Sequence, residues 1–445
     1  MQVPFARDSY LSEIPINWYP ATDTDKGVIM YGAPGLKELI RLKGEVRGLK
    51  AVGTNIYAVS NDTAYKIDQH FNATALGTLN TNTGKVWIEE NGVQVAFMDG
   101  DLWVYTIATA TFAQVTDADF PGGASLTYQD GYGIFIVPGT GQFYLTGLYD
   151  FTSIAPLDYA SAEGWPDDLV AVLMNYREIW LFGEETTEIW YNAGTSPFPF
   201  ARVQGGFIEQ GCAAPASVAK GDNVSYWLAS TRQVMMAEGY QPRIISTRKM
   251  EREIEKFSRI DDAIAWFQVF EGHSFYWLTF PTADVTYVYD AATQVWHKRA
   301  SFPDQGRHRA NCYAYFNKQH IAGDYNNGKL YRMSRDYYDD DGEELIAAIE
   351  SPEVRGEGKR QFFSGLEVQF ERGHDYLDGR DPYAMLCWSD DNGNNWSNEV
   401  WSSLGNIGEY RTRTIWRRMG SSYNRIFKLK VSDPVNRDIL SVNWL

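Results

Sequence analysis

The sequence has few of the side chains on which metal, redox and nucleophilic sites depend. Its 445 residues include three cysteines, Cys212, Cys312 and Cys387, which lie too far apart to show a metal-ligand spacing. The six histidines are dispersed, and no H-E-x-x-H, C-x-x-C or G-x-S-x-G motif occurs. We therefore expect buried, reduced thiols, no metal, no cofactor and no catalytic residue, and we predict that the chain is not an enzyme.

Two further absences concern where the protein is made. No run of about 18 apolar residues occurs, so the sequence predicts no membrane span. Residues 1–7 lack the apolar core of a secretory signal peptide. Together these absences predict a protein made in a cytoplasm, where thiols stay reduced.

Positive charge is scarce, and its distribution is uneven. The chain has 40 Lys and Arg residues against 57 Asp and Glu residues, a formal net charge of −17. Residues 351–445 contain 13 residues of each sign, which leaves 27 basic and 44 acidic residues in positions 1–350. A tight DNA binder needs clustered cations to displace counterions from phosphate. The body of this chain should repel a duplex instead, as a wall past which DNA slides would, although solubility alone also explains the charge.

What the sequence does contain is a repeated pattern of short apolar strands and tight turns. Aromatic residues make up 15% of the chain and favour strands. The first turns of successive units recur about every 38 to 50 residues, which is close to the spacing of β-propeller blades. Some contain Asn-Gly or Asp-Gly, which tolerate the positive φ of hairpin turns. These turns lie at Gly53-Thr54-Asn55, Asn91-Gly92, Asp130-Gly131, Asn175-Tyr176, Gly221-Asp222, Gly272 and Asn317-Lys318.

The repeated units predict an all-β protein in which a β-propeller of six or seven blades spans residues 46–335. The competing interpretation is a pair of β-sandwiches, which would also place a strand about every 8–12 residues. Beyond this region the spacing changes, and residues 343–445 are predicted to form a β-sandwich-like C-terminal domain. Residues 1–45, which contain four prolines, are predicted to be an extended N-terminal arm. The best candidate for a helix is residues 248–259.

Residues 389–396 match the pattern S-x-D-x-G-x-x-W, known as the Asp-box turn. The turn residues are Ser389, Asp391, Gly393 and Trp396. In this pattern Asp391 is expected to bond nearby backbone N–H groups, Gly393 to supply an unusual φ, and Trp396 to close the base of the hairpin. Asp-boxes occur in sialidases, where they are structural turns away from the chemistry. A single copy therefore predicts a structural turn here.

The acidic string at residues 339–344 raises the question of a calcium loop. An EF-hand loop that starts at Tyr337 would need an acid at that position and a glutamate where Ala348 stands, and neither is present. The sequence therefore predicts a solvated turn.

One basic cluster stands out, with no acid between its first and last members. Period-two alternation places Phe427, Leu429 and Val431 on one face of a strand and the lysines on the other. The cluster fits a solvated strand face, a docking strip for an acidic partner, or a set of phosphate contacts. Because the planar guanidinium pairs well with carboxylates, a protein partner ranks above DNA. The partner-interface candidates are Arg411, Arg413, Arg417, Arg418, Lys428 and Lys430, and Arg425 completes the cluster.

Several stretches resemble the packaged-DNA stabilisation, or tail hub, proteins of short-tailed bacteriophages of the P22 type. The matching stretches occur in the same order and extend over nearly the whole chain. They are INWYP (16–20), YGAPGL (31–36), EGHSFYWLTFP (271–281), YDAAT to WH (289–297), WSDD to WSNE (388–399), GEYRTR (408–413), WRR (416–418) and DPV (433–435).

The resemblance implies a structural protein of the virion tail, made in the bacterial host cytoplasm. It implies a homo-hexameric hub, or nozzle, beneath the portal and its adaptor ring, which completes the head and carries spikes, fibres or a needle. Such a hub retains packaged DNA and later forms part of the exit channel for DNA ejection, so DNA passes through without specific binding. The identity of the attached spike or fibre does not transfer from the family.

The alternative function is a carbohydrate-binding or sialidase-like β-propeller, on a phage tail or elsewhere. Repeated Asp-boxes and an arginine cluster at the centre of the blades would favour it. The sequence has one Asp-box, and its basic cluster lies outside the predicted blades. An extracellular sugar-binding module conflicts with the lack of a signal peptide.

Overall fold

The computed structural model describes residues 14–23, 27–356, 358–371, 381–406, 408–409 and 411–445. They form two compact units. The repeat unit comprises residues 38–284 and 309–332. The terminal unit comprises the described residues up to 37, residues 285–308, and those from 333 onward.

Three strands precede the repeats, and five four-stranded antiparallel sheets follow, each formed by consecutive strands. The first three are β1 (Trp18–Asp23), β2 (Gly27–Gly32) and β3 (Gly35–Arg41). The five sheets are β4 (Val46–Val52), β5 (Asn55–Ser60), β6 (Thr63–Ile67) and β7 (Ala73–Thr78); β8 (Trp87–Glu90), β9 (Gln94–Met98), β10 (Leu102–Thr106) and β11 (Thr111–Gln114); β12 (Leu126–Gln129), β13 (Tyr132–Ile136), β14 (Gln142–Leu145) and β15 (Tyr159–Ser161); β16 (Leu169–Asn175), β17 (Glu178–Gly183), β18 (Thr187–Asn192) and β19 (Phe200–Ile208); β20 (Ala219–Gly221), β21 (Val224–Leu228), β22 (Val234–Glu238) and β23 (Gln241–Ile244).

The remaining elements begin with a short helix. They are α1 (Arg248–Ile254), β24 (Ile264–Phe270), β25 (His273–Phe280), β26 (Val285–Asp290), β27 (Val295–Ser301), β28 (Gly306–Arg307), β29 (Ala310–Phe316), β30 (Gln319–Asp324), β31 (Lys329–Ser334), β32 (Ala347–Glu350), β33 (Val354–Arg355), β34 (Gln361–Phe362), β35 (Gly365–Phe370), β36 (Tyr383–Ser389), β37 (Val400–Ser403), β38 (Thr414–Arg417), β39 (Ser421–Ser422), β40 (Asn424–Val431) and β41 (Ile439–Trp444).

The first strands of the seven repeats lie side by side around a closed ring within the repeat unit. Each of β4, β8, β12, β16, β20, β24 and β29 contacts the next, and β29 contacts β4. Sheets arranged radially around such a ring are the architecture of a β-propeller. The predicted propeller is therefore confirmed, with seven blade positions, and the alternative of two β-sandwiches in its place is wrong.

The blades form because the second strands of their sheets are buried on both faces. In β9 all five residues are buried, and Phe97 packs with Tyr57 and Val59 of the preceding sheet. Met98, on the opposite face of the same strand, packs with Phe135 of the following sheet. A sheet buried on both sides cannot be stable alone, so neighbouring blades stabilise each other.

The predicted extended arm over residues 1–45 contains strands β1, β2 and β3 in its described part. Residues 1–13 and 24–26 of that prediction lie outside the described residues, and its bounds stay a prediction. In the repeat unit, Leu42 donates a backbone hydrogen bond to Gly328 at 2.7 Å, and Glu38 pairs with Lys329 at 2.7 Å. This early segment therefore lies beside the last repeat, a pairing across almost 300 residues that local patterns do not indicate. The domain boundaries at 46–335 and 343–445 stay predictions.

The terminal unit contains two sheets that share one core. One sheet has the order β1-β2-β41-β35-β38, and the other has the order β32-β40-β36-β37, with β33 also paired to β40. Trp18, Leu366, Leu386, Trp416 and Phe427 are among the buried residues of the shared core. Two antiparallel sheets with a common apolar core form a β-sandwich, as predicted.

The predicted helix is present and shorter than expected. Helix α1 covers Arg248–Ile254, and the Thr247 hydroxyl accepts the backbone N–H of Met250, which caps its first turn. Cys212 and Cys387 are buried free thiols, as predicted, and Cys312 is half-buried. Within the described residues, no helix is long and apolar enough to cross a membrane.

Candidate interaction surface

The Asp-box forms the turn that follows β36. The Ser389 hydroxyl donates to Asp391 at 2.7 Å and accepts the backbone N–H of Gly393 at 2.8 Å. Asp391 accepts the backbone and side-chain N–H groups of Asn395 at 2.8 and 2.6 Å. Bonds from Asn395 lower the pKa of Asp391 to about 2, so this stabilisation is present above about pH 4 and is lost as the pH falls toward 2.

Trp396 lies against the turn, with ring carbon Cζ2 3.9 Å from where a Cβ of Gly393 would be, and its role at the base of the hairpin stays a prediction. Its ring is half-buried, and the Lys428 ammonium lies 5.1 Å from the ring centroid. The contact is a cation–π interaction between the loop that follows β36 and strand β40. Gly393 has φ of +89°, in agreement with its predicted conformation. The box therefore acts as a turn whose tryptophan supports a lysine of β40.

Strand β40 alternates as its sequence indicates. Phe427, Leu429 and Val431 are fully buried in the sandwich core, and Lys428 and Lys430 are half-buried on the other face. Both lysines have carboxylate partners, with Lys428 3.1 Å from Glu350 and Lys430 2.9 Å from Glu399.

Arg413 is also paired within the terminal unit. Its Nε and Nη2 donate to the two carboxylate oxygens of Glu367 at 2.7 and 2.5 Å. This bidentate pair raises the pKa of Arg413 above its ordinary value. Arg413, Lys428 and Lys430 therefore already have acidic partners on their own chain, which weakens their case as docking residues.

Arg425 is a structural cation. Its side chain is 2% exposed and donates to both carboxylate oxygens of Asp390, at 2.6 and 2.8 Å. The guanidinium carbon lies 4.5 Å from the ring centroid of Phe363 and 5.2 Å from that of Trp388. Arginine can be buried here because its planar group stacks on aromatic rings and forms paired hydrogen bonds with a carboxylate.

Arg411, Arg417 and Arg418 are different. All three are exposed, and their side chains have no hydrogen bond or ion pair with any residue that the structure describes. Arg417 ends the edge strand β38, and Arg418 follows it with φ of +58°. The sequence placed seven cations in one strip, and the structure separates them into four paired residues and three exposed ones.

Exposed aromatic side chains lie near these arginines. Phe362 is 78% exposed and is paired with Ser421 in the short β34–β39 ladder. Tyr423 follows that ladder and is 59% exposed, and the Arg418 backbone N–H donates to Ser364 at 3.0 Å. Tyr, Phe and Arg side chains are enriched at the centres of protein interfaces. The arginine–aromatic patch is defined here as Arg360, Phe362, Arg417, Arg418 and Tyr423.

A buried charge cluster in the terminal unit was missed by the sequence prediction of a solvated acidic turn. Asp340 is fully buried, and its charge acts on the buried Arg299 and Arg437. Burial lowers the pKa of each of these two arginines to about 10, and the attraction of Asp340 opposes that shift. Asp340 belongs to the same acidic string as the exposed Glu343 and Glu344, so the string itself gives no signal that separates them.

The exposed groups of the terminal unit are of the kinds that bind other proteins. No group of three or more His, Cys, Asp or Glu side chains in the described part of the chain has a geometry that could hold a metal ion. The exposed guanidinium groups and aromatic rings can bind carboxylates and apolar side chains of a protein.

Two family profiles match this chain, one after the other along the sequence. The family profile described as "Bacteriophage P22 Gp10, beta-propeller" matches residues 2–338. The profile described as "Bacteriophage P22 Gp10, beta-sandwich" matches residues 348–443. Among curated proteins, none matches this chain.

The solved structures that match this chain share little sequence with it. The WD40 domain of Neurospora crassa Pan2 is 7% identical, with 65% of this chain and 89% of that chain covered and a TM-score of 0.44. U3-55K is 9% identical, with 67% and 98% covered and a TM-score of 0.45. A chain of the S. cerevisiae Dbp5 complex with Nup159 and Gle1 is 9% identical, with 72% and 98% covered and a TM-score of 0.43. Scores this low support no statement about function.

Proposed function

The chain belongs to the bacteriophage P22 Gp10 family of phage structural proteins, and on that premise we propose that it is the tail hub, or nozzle, of a short-tailed phage. In this role it forms a homo-hexamer below the portal and adaptor rings and completes the head. It retains packaged DNA, forms part of the exit channel and carries spikes, fibres or a needle. The observation that carries the proposal is that both family profiles match in order along one chain.

The charge distribution supports the passage of DNA. The excess of acidic residues lies in positions 1–350, which contain 44 acidic and 27 basic residues. At physiological salt the Debye length is about 8 Å, so only acids within roughly that distance of the channel keep DNA from adhering. The exposed arginines of the sandwich would then point into protein contacts, away from the channel.

Nuclease protection tests the hub function directly. Phage particles produced without this chain should package DNA but leave it accessible to nuclease. Addition of the purified full-length protein should restore protection and give six copies per particle by mass measurement. Full protection in the absence of the chain, or a tail with one or three copies, would contradict the proposal.

The exposed arginines give a residue-level prediction. The double variant Arg417→Ala, Arg418→Ala should fold normally but enter tails about tenfold less efficiently. The reason is that truncating one partner of an ion pair buried in an interface weakens binding by several kcal/mol. An ion pair exposed at the rim of an interface contributes only about 0–1 kcal/mol. The measurement is the number of copies per purified particle.

A matched control removes two arginines elsewhere. Arg248→Ala, Arg252→Ala changes the net charge equally but acts on the exposed surface of α1. It should leave incorporation unchanged. If the Arg417, Arg418 variant also assembles fully at physiological salt, these arginines belong to a solvated surface.

A further inference from the structure

Exposed apolar side chains lie at the turns on one side of the second, third and fourth sheets of the repeat unit. These turns follow the first and third strands of each sheet. Tyr176 is 71% exposed and Tyr149 is 56% exposed. The turn-face patch is defined as the exposed large hydrophobic residues Val93, Ile107, Leu148, Tyr149 and Tyr176 of these turns, together with the exposed Tyr191 near the end of β18, which pairs with Glu178.

Hydrogen bonds hold these turns together across neighbouring sheets. Gln94 of β9 donates to Asp150 at 3.0 Å, which joins the second sheet to the third. Arg177 donates to Asp130 at 2.9 Å, which joins the third sheet to the fourth. The Tyr149 backbone N–H donates to Gly131 at 2.7 Å. The patch is therefore preorganised, so a partner would not have to order it on binding.

The backbone at two of these tyrosines is unusual. Tyr149 has φ of +56° and Tyr176 has φ of +55°. Asn61, Asp222 and Asn317 occupy the same region at other turns of the repeat unit, as expected for short polar side chains. A bulky residue is disfavoured in this conformation, and such outliers cluster at functional sites. Two tyrosines with positive φ and largely exposed rings suggest that these side chains contact another protein molecule.

The surroundings of the patch are acidic. The described charged groups near it include the carboxylates of Glu90, Asp130, Asp150 and Glu178, the guanidinium of Arg177, and the ammonium of Lys220, which donates to the Met174 carbonyl at 2.7 Å. Hydrogen bonds from Thr152 and Gln94 keep the pKa of Asp150 below its ordinary value against the effect of burial, so it is charged at neutral pH. A partner that fits this surface has aromatic side chains at its centre and cations around them.

We propose that the turn-face patch binds the arginine–aromatic patch of a second copy of this chain. That surface supplies the exposed rings of Phe362 and Tyr423 and the exposed cations Arg360, Arg417 and Arg418. The two surfaces differ, so the contact is head-to-tail, the type that generates rings when the rotation closes. The inference rests on the proposed function, because a homo-hexamer has contacts between its copies.

The first test uses a double substitution that suits the backbone. Asn tolerates positive φ, so Tyr149→Asn, Tyr176→Asn should leave the thermal stability of the full-length chain unchanged or slightly higher. The same variant should enter particles that lack the chain at least tenfold less efficiently than the original protein. The control Ile244→Asn alters an exposed residue of β23 and should assemble normally. Normal assembly of the double variant would overturn the proposal.

The second test identifies the partner. A photo-crosslinking residue, p-benzoyl-phenylalanine, replaces Tyr149 in assembled tails, and cross-linked peptides are found by mass spectrometry. A cross-link to residues 360–423 of a second copy supports the proposal. A cross-link to another virion protein, or none to a second copy, overturns it while the hub function still stands. Absence of the unsubstituted chain from tails would instead contradict the proposed function.

Discussion

Arg437→Met is expected to destabilise the terminal unit by about 3–5 kcal/mol, because it removes one cation from a buried group of charges. Arg437 is 1% exposed and donates to the backbone carbonyls of Tyr338 and Leu345. Asp340, which is fully buried, would lose one of the two arginines that compensate its charge. The variant loses the attraction between Arg437 and Asp340, and it also leaves the desolvation penalty of the buried carboxylate less well compensated.

Hydrogen exchange by mass spectrometry, resolved by peptide, is the appropriate measurement, since a chain with two units need not unfold in one step. Peptides from β1 and β41 should lose protection, and those from β8–β11 should keep it. Arg355→Met is the matched control, because Arg355 has a 74% exposed side chain paired with Glu353. It should cost about 0–1 kcal/mol. Equal exchange in the two variants would show that the buried cluster contributes no stability.

Arg425→Ala is expected to destabilise the β-sandwich by about 2–4 kcal/mol, the range for a large-to-small change in a core. The substitution leaves a cavity among Phe363, Trp388 and Phe427 and removes the hydrogen bond to the Met419 carbonyl at 2.5 Å. It also removes the cation–π contacts, which are worth about 1–2 kcal/mol when desolvated.

Two comparison variants in the same strand sharpen this prediction. Lys430→Ala should cost about 0–1 kcal/mol, because its pair with Glu399 is partly exposed on both sides. Arg425→Lys keeps the charge but loses the planar group, so its cost should lie between the other two. Exchange in peptides from β36 and β40 gives the measurement. If Arg425→Ala and Lys430→Ala lowered the free energy of unfolding by similar amounts, the basic cluster at 411–430 would be one solvated face.

Much of the candidate interaction surface could not be predicted from the sequence. The absence of acids from 411 to 430 identifies a basic strip, but the acids that pair with it come from other parts of the chain. Glu350, Glu367 and Asp390 reach the strip only when β32, β35 and the Asp-box are in place. Pairing across 35 or more residues depends on strand order, which no local pattern encodes.

The sequence by itself determined the features that depend on local chemistry. Turn residues at regular spacing indicated the blades, alternation along β40 indicated its buried face, and the Asp-box pattern indicated a turn at Ser389. Only the tertiary structure decided which charges are buried and which are exposed. Asp340 is fully buried and Glu343 is exposed, and Arg425 is buried and Arg418 is exposed, because the surroundings of each charge come from distant segments. The free energy of a charge depends on the groups around it in space, and folding brings those groups together from distant positions in the chain.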